Sequence, residues 1–359
     1  MFFYMPTKVY EEKDCVISRY QELCALGKHA LIVTGKKSAF VNGSYDDVCA
    51  GLDKGGVAHS VFSDVEENPS VETVMRGREA GLSCGADFVI GVGGGSALDA
   101  AKAIALMIKH SGEDESYLYK KGADSACLPV AAVPTTCGTG SEVTGVSVLT
   151  LHQKKTKGSI AHKIFPTLAL TDAKYLAHAP QSVIRNTAID ALAHLYESHL
   201  NSQATDYSRM CVSAGLDTWR FSKDALLNES RPGEKEASFL MRASTFAGMA
   251  IAHTGTSLPH GLSYTVTYAL GMPHGKAAGY FLAGYLSEAE KTERDYLLEK
   301  SGFSSLQEFK DFYDKVCGAE KIPADILETA VESVAENKAK LESAPFKTDR
   351  DVLYRVANF

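Results

Sequence analysis

The sequence has no cluster of basic residues, no CxxC pair and no apolar run long enough to cross a bilayer. Without a basic stripe, and with a net charge of −7, nucleic acids and anionic membranes are disfavoured as partners. The eight cysteines are scattered, which predicts free thiols in a reducing compartment rather than a disulfide framework or a zinc–thiolate site. The N-terminus lacks the features of a signal peptide, so we expect a cytoplasmic protein.

A chain of 359 residues is long enough for two domains. In the first half, short apolar runs alternate with helical patterns, and the strand candidates lie at 29–35, 57–65, 86–96 and 128–142. This alternation predicts a parallel sheet covered on both faces. After Pro180 the pattern is helical, at 181–200, 205–222, 235–253 and 277–290. We therefore predict an α/β domain at 1–178 and a helical domain at 179–359.

One glycine-rich loop joins a predicted strand to a predicted helix, in the run GVGGGSALDAAK at 91–102. Glycines let the backbone approach a diphosphate, and the N–H groups at the start of the helix favour its negative charge. The spacing is not a regular GxGxxG, and the alternative is a tight turn that binds nothing. A second loop of small and hydroxyl residues, PTTCGTGSE, follows the next strand and could line a nucleotide.

Asp190 and His194 lie within the apolar run AIDALAHLYESHL and share one face of a helix, because residues four apart lie nearly in line. His199 is five residues further on and points elsewhere. Two later histidines, His260 and His274, each occur in a PHG triplet. One carboxylate and three imidazoles without a thiolate suit a divalent ion such as Fe²⁺ or Zn²⁺. A simple hydrogen bond between Asp190 and His194 is the alternative.

Several motifs together resemble the iron-containing (group III, metal-dependent) alcohol dehydrogenase family, and most closely its butanol-dehydrogenase-like branch. They are GGGSALDAAKAIA, PTTCGTGSEVT, FPTLALTDAKY, IDALAHLYESHL, TSLPHGLSY and GMPHGKAAG, and they occur in family order over nearly the whole chain. The resemblance implies a dehydroquinate-synthase-like fold. In that fold, a Rossmann-like α/β dinucleotide-binding domain precedes an all-α metal-binding domain.

Position by position, the resemblance implies that Asp190, His194, His260 and His274 hold one catalytic divalent metal, with Fe²⁺ favoured and Zn²⁺ the alternative. It also implies a set of cofactor-binding residues, in which Gly94, Gly95 and Ser96 hold the diphosphate. The other members are Asn68, Asp99, Thr135, Thr136, Thr139, Ser147 and Lys157.

Three positions depart from the family pattern. Cys137 replaces an alanine, and we expect its small thiol to pack without a chemical role. Tyr264 replaces a histidine that several members carry near the substrate, which puts a histidine proton relay there in doubt. His253 replaces a residue that is often an amide, and we expect a core histidine with satisfied hydrogen bonds rather than a supporting group of the metal site.

The end of the first predicted strand bears on the choice of nicotinamide cofactor. Gly35 stands where NAD-preferring relatives have an acid, and Lys36 and Ser38 follow it. A missing carboxylate removes repulsion from a 2′-phosphate, and a lysine would favour that phosphate. We therefore predict NADP(H) over NAD(H).

The predicted reaction is reversible hydride transfer between a nicotinamide cofactor and a small alcohol or aldehyde, in a homodimer. A glycerol or polyol dehydrogenase is the near alternative, although such enzymes use fewer metal ligands. A dehydroquinate-synthase-like lyase would require basic residues around the metal, and few flank 188–200 or 253–279 beyond Lys276. A non-catalytic nucleotide-binding protein is the remaining alternative, and it would be supported only if the metal site proved empty and substitution of His260 left activity in cells unchanged.

Overall fold

The computed structural model describes residues 2–154 and 156–359, which fall into two units. The α/β unit comprises Met5–Thr136 and Ser141–Ala179, and the helical unit contains Pro180–Phe359. The helical unit also includes the loop Cys137–Gly140 and the N-terminal segment that ends at Tyr4. These two short segments differ from the predicted division between 178 and 179, because contacts rather than chain order decide where they belong.

All strands of the main sheet in the α/β unit run parallel, in the order β1-β8-β5-β4-β2-β3. Strands β6 and β7 form a separate antiparallel pair. The strands are Lys8–Glu11 (β1), His29–Gly35 (β2), Ala58–Val65 (β3), Phe88–Gly93 (β4), Val130–Pro134 (β5), Val148–Leu151 (β6), Thr156–Ser159 (β7) and Leu168–Thr171 (β8). The predicted parallel sheet is confirmed, and its carboxyl ends share one edge, where open α/β sheets bind ligands.

Two apolar cores cover the two faces of this sheet. Along β2, Ala30 and Ile32 belong to one core, whereas Leu31 and Val33 belong to the other, as a strand buried on both faces requires. The helices of this unit are Cys15–Ser18 (α1), Tyr20–Cys24 (α2), Ser38–Val41 (α3), Ser44–Gly55 (α4), Val71–Cys84 (α5) and Gly95–Lys109 (α6). Almost all of α6 is buried, which fixes the helix that follows the glycine loop.

The helical unit is built around two long helices, Gln181–Leu200 (α7) and Glu234–Thr254 (α10). Its helices are Gln181–Leu200 (α7), Asp206–Trp219 (α8), Lys223–Leu227 (α9), Glu234–Thr254 (α10), Leu258–Leu270 (α11), His274–Tyr280 (α12), Leu282–Glu288 (α13), Lys291–Lys300 (α14), Leu306–Cys317 (α15), Ala324–Ala335 (α16), Lys338–Ser343 (α17) and Arg350–Ala357 (α18). None of the described helices has the length and hydropathy needed to span a bilayer.

The prediction of a single helix at 277–290 was wrong, because the structure has two helices that meet at Phe281. Helix α12 packs against α7, whereas α13 packs against α18. The apolar periodicity continues through the junction, since both helices are buried, and so the sequence pattern does not show the break.

Candidate metal centre and nucleotide-binding loops

Helix α7 carries a face of ionisable side chains inside the core. Every residue from 188 to 200 is buried, and Asp190, His194 and Glu197 are only 2 %, 5 % and 0 % exposed. Their spacing of four and three residues aligns the three side chains along one side of the helix. Burying such groups is costly unless each has a partner or a bound ion. This face of α7 is therefore the first candidate for a functional site.

Asp190, His260 and His274 form a group whose potential ligand atoms all lie within 4.8 Å of one another. His260 lies in the first turn of α11, and His274 begins α12. The Oδ1 atom of Asp190 lies 3.4 Å from the Nε2 atom of His260. The structure thus brings together three of the four residues predicted as metal ligands, from three separate helices.

The fourth predicted ligand, His194, lies beside this group rather than within it. Its ring stacks on that of His260, with 4.4 Å between centroids and 18° between planes. Its Nδ1 atom is 3.2 Å from the carbonyl oxygen of Gly138, so Nδ1 carries the proton and Nε2 keeps a lone pair. The role of His194 as a metal ligand therefore stays a prediction.

Gly275 allows α12 to approach α7 closely enough to bring His274 into the group. A Cβ atom on Gly275 would lie 2.0 Å from the carbonyl oxygen of Asn186 and 2.8 Å from the Cβ of Asp190. No side chain fits there without moving the helices apart. The glycine that follows the second PHG histidine is therefore a packing requirement of the site.

Glu197 is a buried member of the cluster that the sequence analysis missed. It accepts hydrogen bonds from the backbone N–H groups of Ser257 and His260, and from the Nδ1–H of the His260 ring. The signal for it was present, because Glu197 follows Asp190 by seven residues, two turns of the same helix.

The charges of the cluster shift its pKa values strongly. Burial opposes the charged form of His260, but the Glu197 and Asp190 carboxylates outweigh burial and raise its pKa to about 9. Burial also opposes ionisation of Asp190, yet the nearby imidazoles hold the pKa of that carboxyl far below its usual range. Against burial, interaction with His260 likewise lowers the pKa of Glu197. Both carboxyl groups are thus ionised at neutral pH and provide negative charge for a cation.

These residues fit a divalent metal. Asp190 Oδ1 and His260 Nε2 are fully buried, and neither makes a hydrogen bond to any residue within the described ranges. Nδ1 of His260 donates its N–H to Glu197, so Nε2 is the ring nitrogen left for a metal, which would take the place of the second proton that the raised pKa keeps on the ring at neutral pH. A cation between these atoms would satisfy both, and a carboxylate with imidazoles suits a borderline ion such as Fe²⁺ or Zn²⁺.

Two other histidines of the helical unit find partners away from the cluster, although His253 is half-buried rather than a core residue and the buried Nδ1 of His199 makes no hydrogen bond within the described residues. His199 Nε2 lies 2.5 Å from a Glu293 carboxylate oxygen. His253 accepts a hydrogen bond from the backbone N–H of Tyr4, lies 2.7 Å from the Met249 carbonyl oxygen and stacks on Phe3. Neither belongs to the group of converging ligand atoms.

Tyr264, at the position where several family members carry histidine, lies against a predicted metal ligand. Its ring stacks on His274 with 5.7 Å between centroids and 20° between planes. The aromatic ring therefore supports the orientation of His274 from the side.

Cys137 packs in the core, and we expect it to be chemically inert. Its thiol is fully buried, 3.3 Å from the Thr187 hydroxyl, and burial raises its pKa to about 11. At pH 7.5 iodoacetamide should therefore modify the partly exposed Cys84 but not Cys137 in the folded protein, as peptide mass mapping would show. Cys137→Ala should keep kcat/KM within about twofold of the wild-type value. Rapid labelling of Cys137, or loss of activity in the variant, would contradict the packing role.

In the α/β unit, the glycine loop joins β4 directly to the buried helix α6. Gly93 has a φ of 150°, which favours glycine, and a Cβ there would lie 2.8 Å from that of Ala97. Gly94 precedes the helix and lies against Thr136, and Gly95 and Ser96 form its first turn. The backbone N–H groups of this turn are free of side-chain caps, as an anion site at a helix start requires.

Asn68 and Lys157 form a polar cluster beside this loop. The Lys157 Nζ atom donates to Asn68 Oδ1 at 2.7 Å, and the backbone N–H of Asn68 donates to Ser96 Oγ at 3.1 Å. Asn68 adopts a left-handed conformation with φ of 58°, which asparagine tolerates. The structure thus links three of the predicted cofactor residues within one unit.

Asp99 and Ser147 connect protein segments to each other. Asp99 Oδ1 accepts from the Ser141 hydroxyl at 2.5 Å, and Oδ2 accepts from the Val148 N–H at 2.8 Å. The Ser147 hydroxyl donates to the Asp99 carbonyl oxygen at 2.8 Å. Both carboxylate oxygens of Asp99 are therefore occupied by the protein, so Asp99 supports the loop geometry through these bonds.

The remaining predicted cofactor residues occupy loop positions. Thr135 is buried at the end of β5, where its N–H donates to the Gly93 carbonyl oxygen. Thr139 belongs to the helical unit, unlike the others. Gly35 ends β2, and the exposed residues Lys36 and Ser38 follow it, with Lys36 4.0 Å from Asp64.

Comparison with known proteins connects this arrangement to one family. Residues 6–173 match the family described as iron-containing alcohol dehydrogenase, and residues 184–339 match its C-terminal domain. The chain belongs to the iron-containing alcohol dehydrogenase family. It is therefore an oxidoreductase with alcohol dehydrogenase and aldehyde reductase chemistry, and the family implies a metal and a nicotinamide cofactor.

Individual relatives agree with this assignment. The chain is 30% identical to long-chain-alcohol dehydrogenase 1 of Geobacillus thermodenitrificans, over 92% of this chain and 89% of the relative. It is 27% identical to an NADPH-dependent butanol dehydrogenase of Clostridium saccharobutylicum, over 95% and 84%. A crystal structure of an iron-containing alcohol dehydrogenase from Thermotoga maritima superposes with a TM-score of 0.90 and 34% identity, over 99% of this chain and 98% of that one.

Proposed function

We propose that this protein is an NADPH-dependent aldehyde reductase, reversible as an alcohol dehydrogenase, that holds Fe²⁺ on Asp190, His194, His260 and His274. The observation that carries the proposal is the buried group in which ligand atoms of Asp190, His260 and His274 converge within 4.8 Å. Burying these carboxylate and imidazole groups together costs folding free energy unless a cation binds between them. Zn²⁺ is the alternative occupant, since the same donors suit it.

The chain's own residues prepare this centre before any substrate enters. Asp190 supplies a buried negative charge, and the Nε2 atom of His260 lies 3.4 Å from its Oδ1. The Gly138 carbonyl oxygen accepts from Nδ1 of His194, which leaves the lone pair of that ring on Nε2. When bound, the metal supplies Lewis-acid polarisation of the substrate carbon–oxygen bond, and the nicotinamide supplies or accepts the hydride. The protein thereby fixes the tautomers and orientations on which metal binding depends.

For the cofactor, we propose that the start of α6 receives the diphosphate and that Asn68 and Lys157 bind next to it. The N–H groups of Gly95 and Ser96 belong to the first helical turn, where an anion is stabilised. The Lys157 ammonium, held by Asn68, adds a positive charge at the same loop. Within the α/β unit, Thr135, Thr136 and Ser147 are proposed to line the rest of the nucleotide path, and the role of Thr139 stays a prediction.

The decisive test is metal analysis of protein purified without oxygen, combined with assays of straight-chain aldehydes from short to long with NADPH and with NADH. We expect one equivalent of iron per chain and reduction that a chelator abolishes and Fe²⁺ restores. Aldehyde reduction that survives full metal removal would refute the metal-dependent mechanism. The aldehydes should range from four carbons to long chains, because the relatives are named as butanol and long-chain-alcohol dehydrogenases and the sequence does not define the substrate. A homodimer and a cytoplasmic location remain predictions.

NADPH preference is proposed to depend on Lys36, since Gly35 places no carboxylate at the end of β2. Lys36→Ala should lower kcat/KM with NADPH about tenfold, or about 1.4 kcal/mol, and change the value with NADH less than about twofold. The exposed ion pair between Lys36 and Asp64 contributes little to stability, so the fold should be unaffected.

Lys28→Ala is the matched control, because Lys28 is also exposed but lies at the opposite end of β2. It should leave both kcat/KM values unchanged. A wild-type enzyme that prefers NADH, or an equal loss with both cofactors in Lys36→Ala, would contradict the proposed role of Lys36.

A further inference from the structure

The two carboxylate oxygens of Glu197 make different contacts. Oε1 accepts from the backbone N–H groups of Ser257 and His260, at 3.2 Å and 3.0 Å. These groups lie at the start of α11, where N–H groups have no partner within the helix. Oε2 accepts from Nδ1 of the His260 ring. One side chain from α7 therefore fixes both the backbone and the ring orientation of a residue on α11.

We propose that Glu197 is the positioning residue that selects the His260 tautomer able to bind the metal, an inference that rests on the proposed function. A neutral imidazole carries one proton, and a carboxylate can only accept. By accepting from Nδ1, Glu197 keeps the lone pair on Nε2, which faces Asp190 Oδ1 at 3.4 Å. A carboxylate that holds the second nitrogen of a metal-binding histidine typically changes metal affinity 10–100-fold.

Glu197 is not an isolated buried charge, because its interaction with His260 outweighs burial and holds the pKa of Glu197 below its usual value. The positive charge of Lys340, on α17, favours the ionised form of Glu197. Lys340 is itself held by hydrogen bonds from Nζ to the carbonyl and hydroxyl oxygens of Thr256, at 2.8 Å and 2.6 Å. The residue next to Ser257 is thereby tied to α17, and the start of α11 is held from two sides. Glu197 stays an acceptor in this setting.

Glu197→Gln separates the two contacts. Its amide oxygen can replace Oε1 and keep the helix start satisfied, but its NH₂ group then faces Nδ1 of His260. The NH₂ group and the Nδ1–H would then be two donors facing each other. The ring can avoid this only by carrying its proton on Nε2, and Nε2 then has no lone pair for the metal. The reversed amide would set NH₂ against two backbone N–H groups, which is worse. The variant thus preserves the cap and changes the tautomer.

The experiment measures the dissociation constant of Co²⁺ by chelator competition and the visible absorption of the Co²⁺ protein, without substrate. We expect Glu197→Gln to weaken Co²⁺ binding 10–100-fold and to change the absorption bands. Glu197→Asp, which keeps two acceptor oxygens, should recover part of the affinity. Asp172→Asn is the matched control, because Asp172 is also buried and accepts from two backbone N–H groups, those of Asp14 and Lys174. It should bind Co²⁺ as the wild type does.

Wild-type affinity and spectrum in Glu197→Gln would overturn the proposal and reduce Glu197 to a helix cap. If that variant does not fold, nitrogen-15 histidine NMR of the wild-type protein decides, with the His260 signal assigned by its loss in His260→Gln. The spectrum is recorded well above pH 9, where the His260 ring is neutral and carries one proton. A proton on Nδ1 then supports the proposal, and a proton on Nε2 refutes it. A wild-type chain that binds no Co²⁺ but shows the Nδ1 proton would refute the metal-dependent function and leave the tautomer assignment intact.

Discussion

Asp190→Asn is expected to abolish metal binding and to lower kcat/KM at least about 10³-fold, equivalent to about 4 kcal/mol of transition-state stabilisation. The substitution keeps the size of a side chain that is only 2 % exposed but removes the charge that a cation requires. An amide oxygen is a much weaker ligand than a carboxylate for a partly dehydrated divalent ion. Metal content per chain by mass spectrometry, measured alongside kcat/KM for an aldehyde, tests both effects.

His199→Gln is the matched control, since His199 lies on the same helix and is also buried. Its Nε2 atom contacts Glu293, and it does not belong to the converging group of ligand atoms. This variant should keep its metal and its activity, with at most a modest loss of stability. Loss of metal in both variants would mean that α7 tolerates no polar change and would contradict a specific role for Asp190. Metal retained in Asp190→Asn with reduced stability would make the Asp190–His260 contact structural only.

The parallel sheet could be predicted because its strands are apolar on both faces. At β2 and β4 nearly every residue is buried, and such runs are typical of strands covered by helices on both sides. The break between α12 and α13 could not be predicted in the same way. Those helices pack against different neighbours, and nothing local to Phe281 marks the change. Local pattern therefore predicted element types, while tertiary packing decided where an element ended.

The site was only partly accessible from spacing. Asp190 and His194 share a helical face by periodicity alone, but His260 and His274 lie 66 and 80 residues beyond His194, so spacing could suggest that they join the site and could not place them there. Glu197 was missed although it follows the same periodicity, because a glutamate near the end of a helix is usually solvated. Its burial depends on packing by α11 and α17, and the local sequence around Glu197 does not predict where those helices lie.

Asp99 shows a different limit of sequence reasoning. The resemblance placed it near the cofactor, and the structure shows that its oxygens bind Ser141 and Val148. Its helical neighbour Lys102 is 0 % exposed, although a lysine in an alanine-rich helix is expected to face solvent. Lys102 Nζ donates to the Ser141 hydroxyl at 2.7 Å and to the Val146 carbonyl oxygen at 2.8 Å. The loop after β5 is therefore held to α6 by a buried ionic network.

Lys102→Met is expected to destabilise the α/β unit by about 3 kcal/mol, because it leaves buried acceptors unpaired and a carboxylate 3.6 Å away without its cation. For a unit of this size the loss corresponds to a melting temperature lower by about 6–12 °C. Nucleotide binding should weaken as well, since the loop from Ser141 to Val146 loses its attachment. Differential scanning calorimetry and NADPH titration by fluorescence measure the two effects. Lys109→Met, on the same helix but exposed, is the control and should change neither.

The pH dependence of this difference has a definite sign. Burial lowers the pKa of Lys102 below 10.5, although Asp99 and Glu142 oppose the shift. The unfolded chain therefore binds this proton more tightly than the folded protein, and the free energy of unfolding rises as pH increases from the lowered pKa toward 10.5. Methionine carries no such proton, so the gap in melting temperature between wild type and Lys102→Met should widen with rising pH over that interval. A gap that narrows toward high pH would show that the folded protein stabilises the charged lysine, contrary to the burial argument.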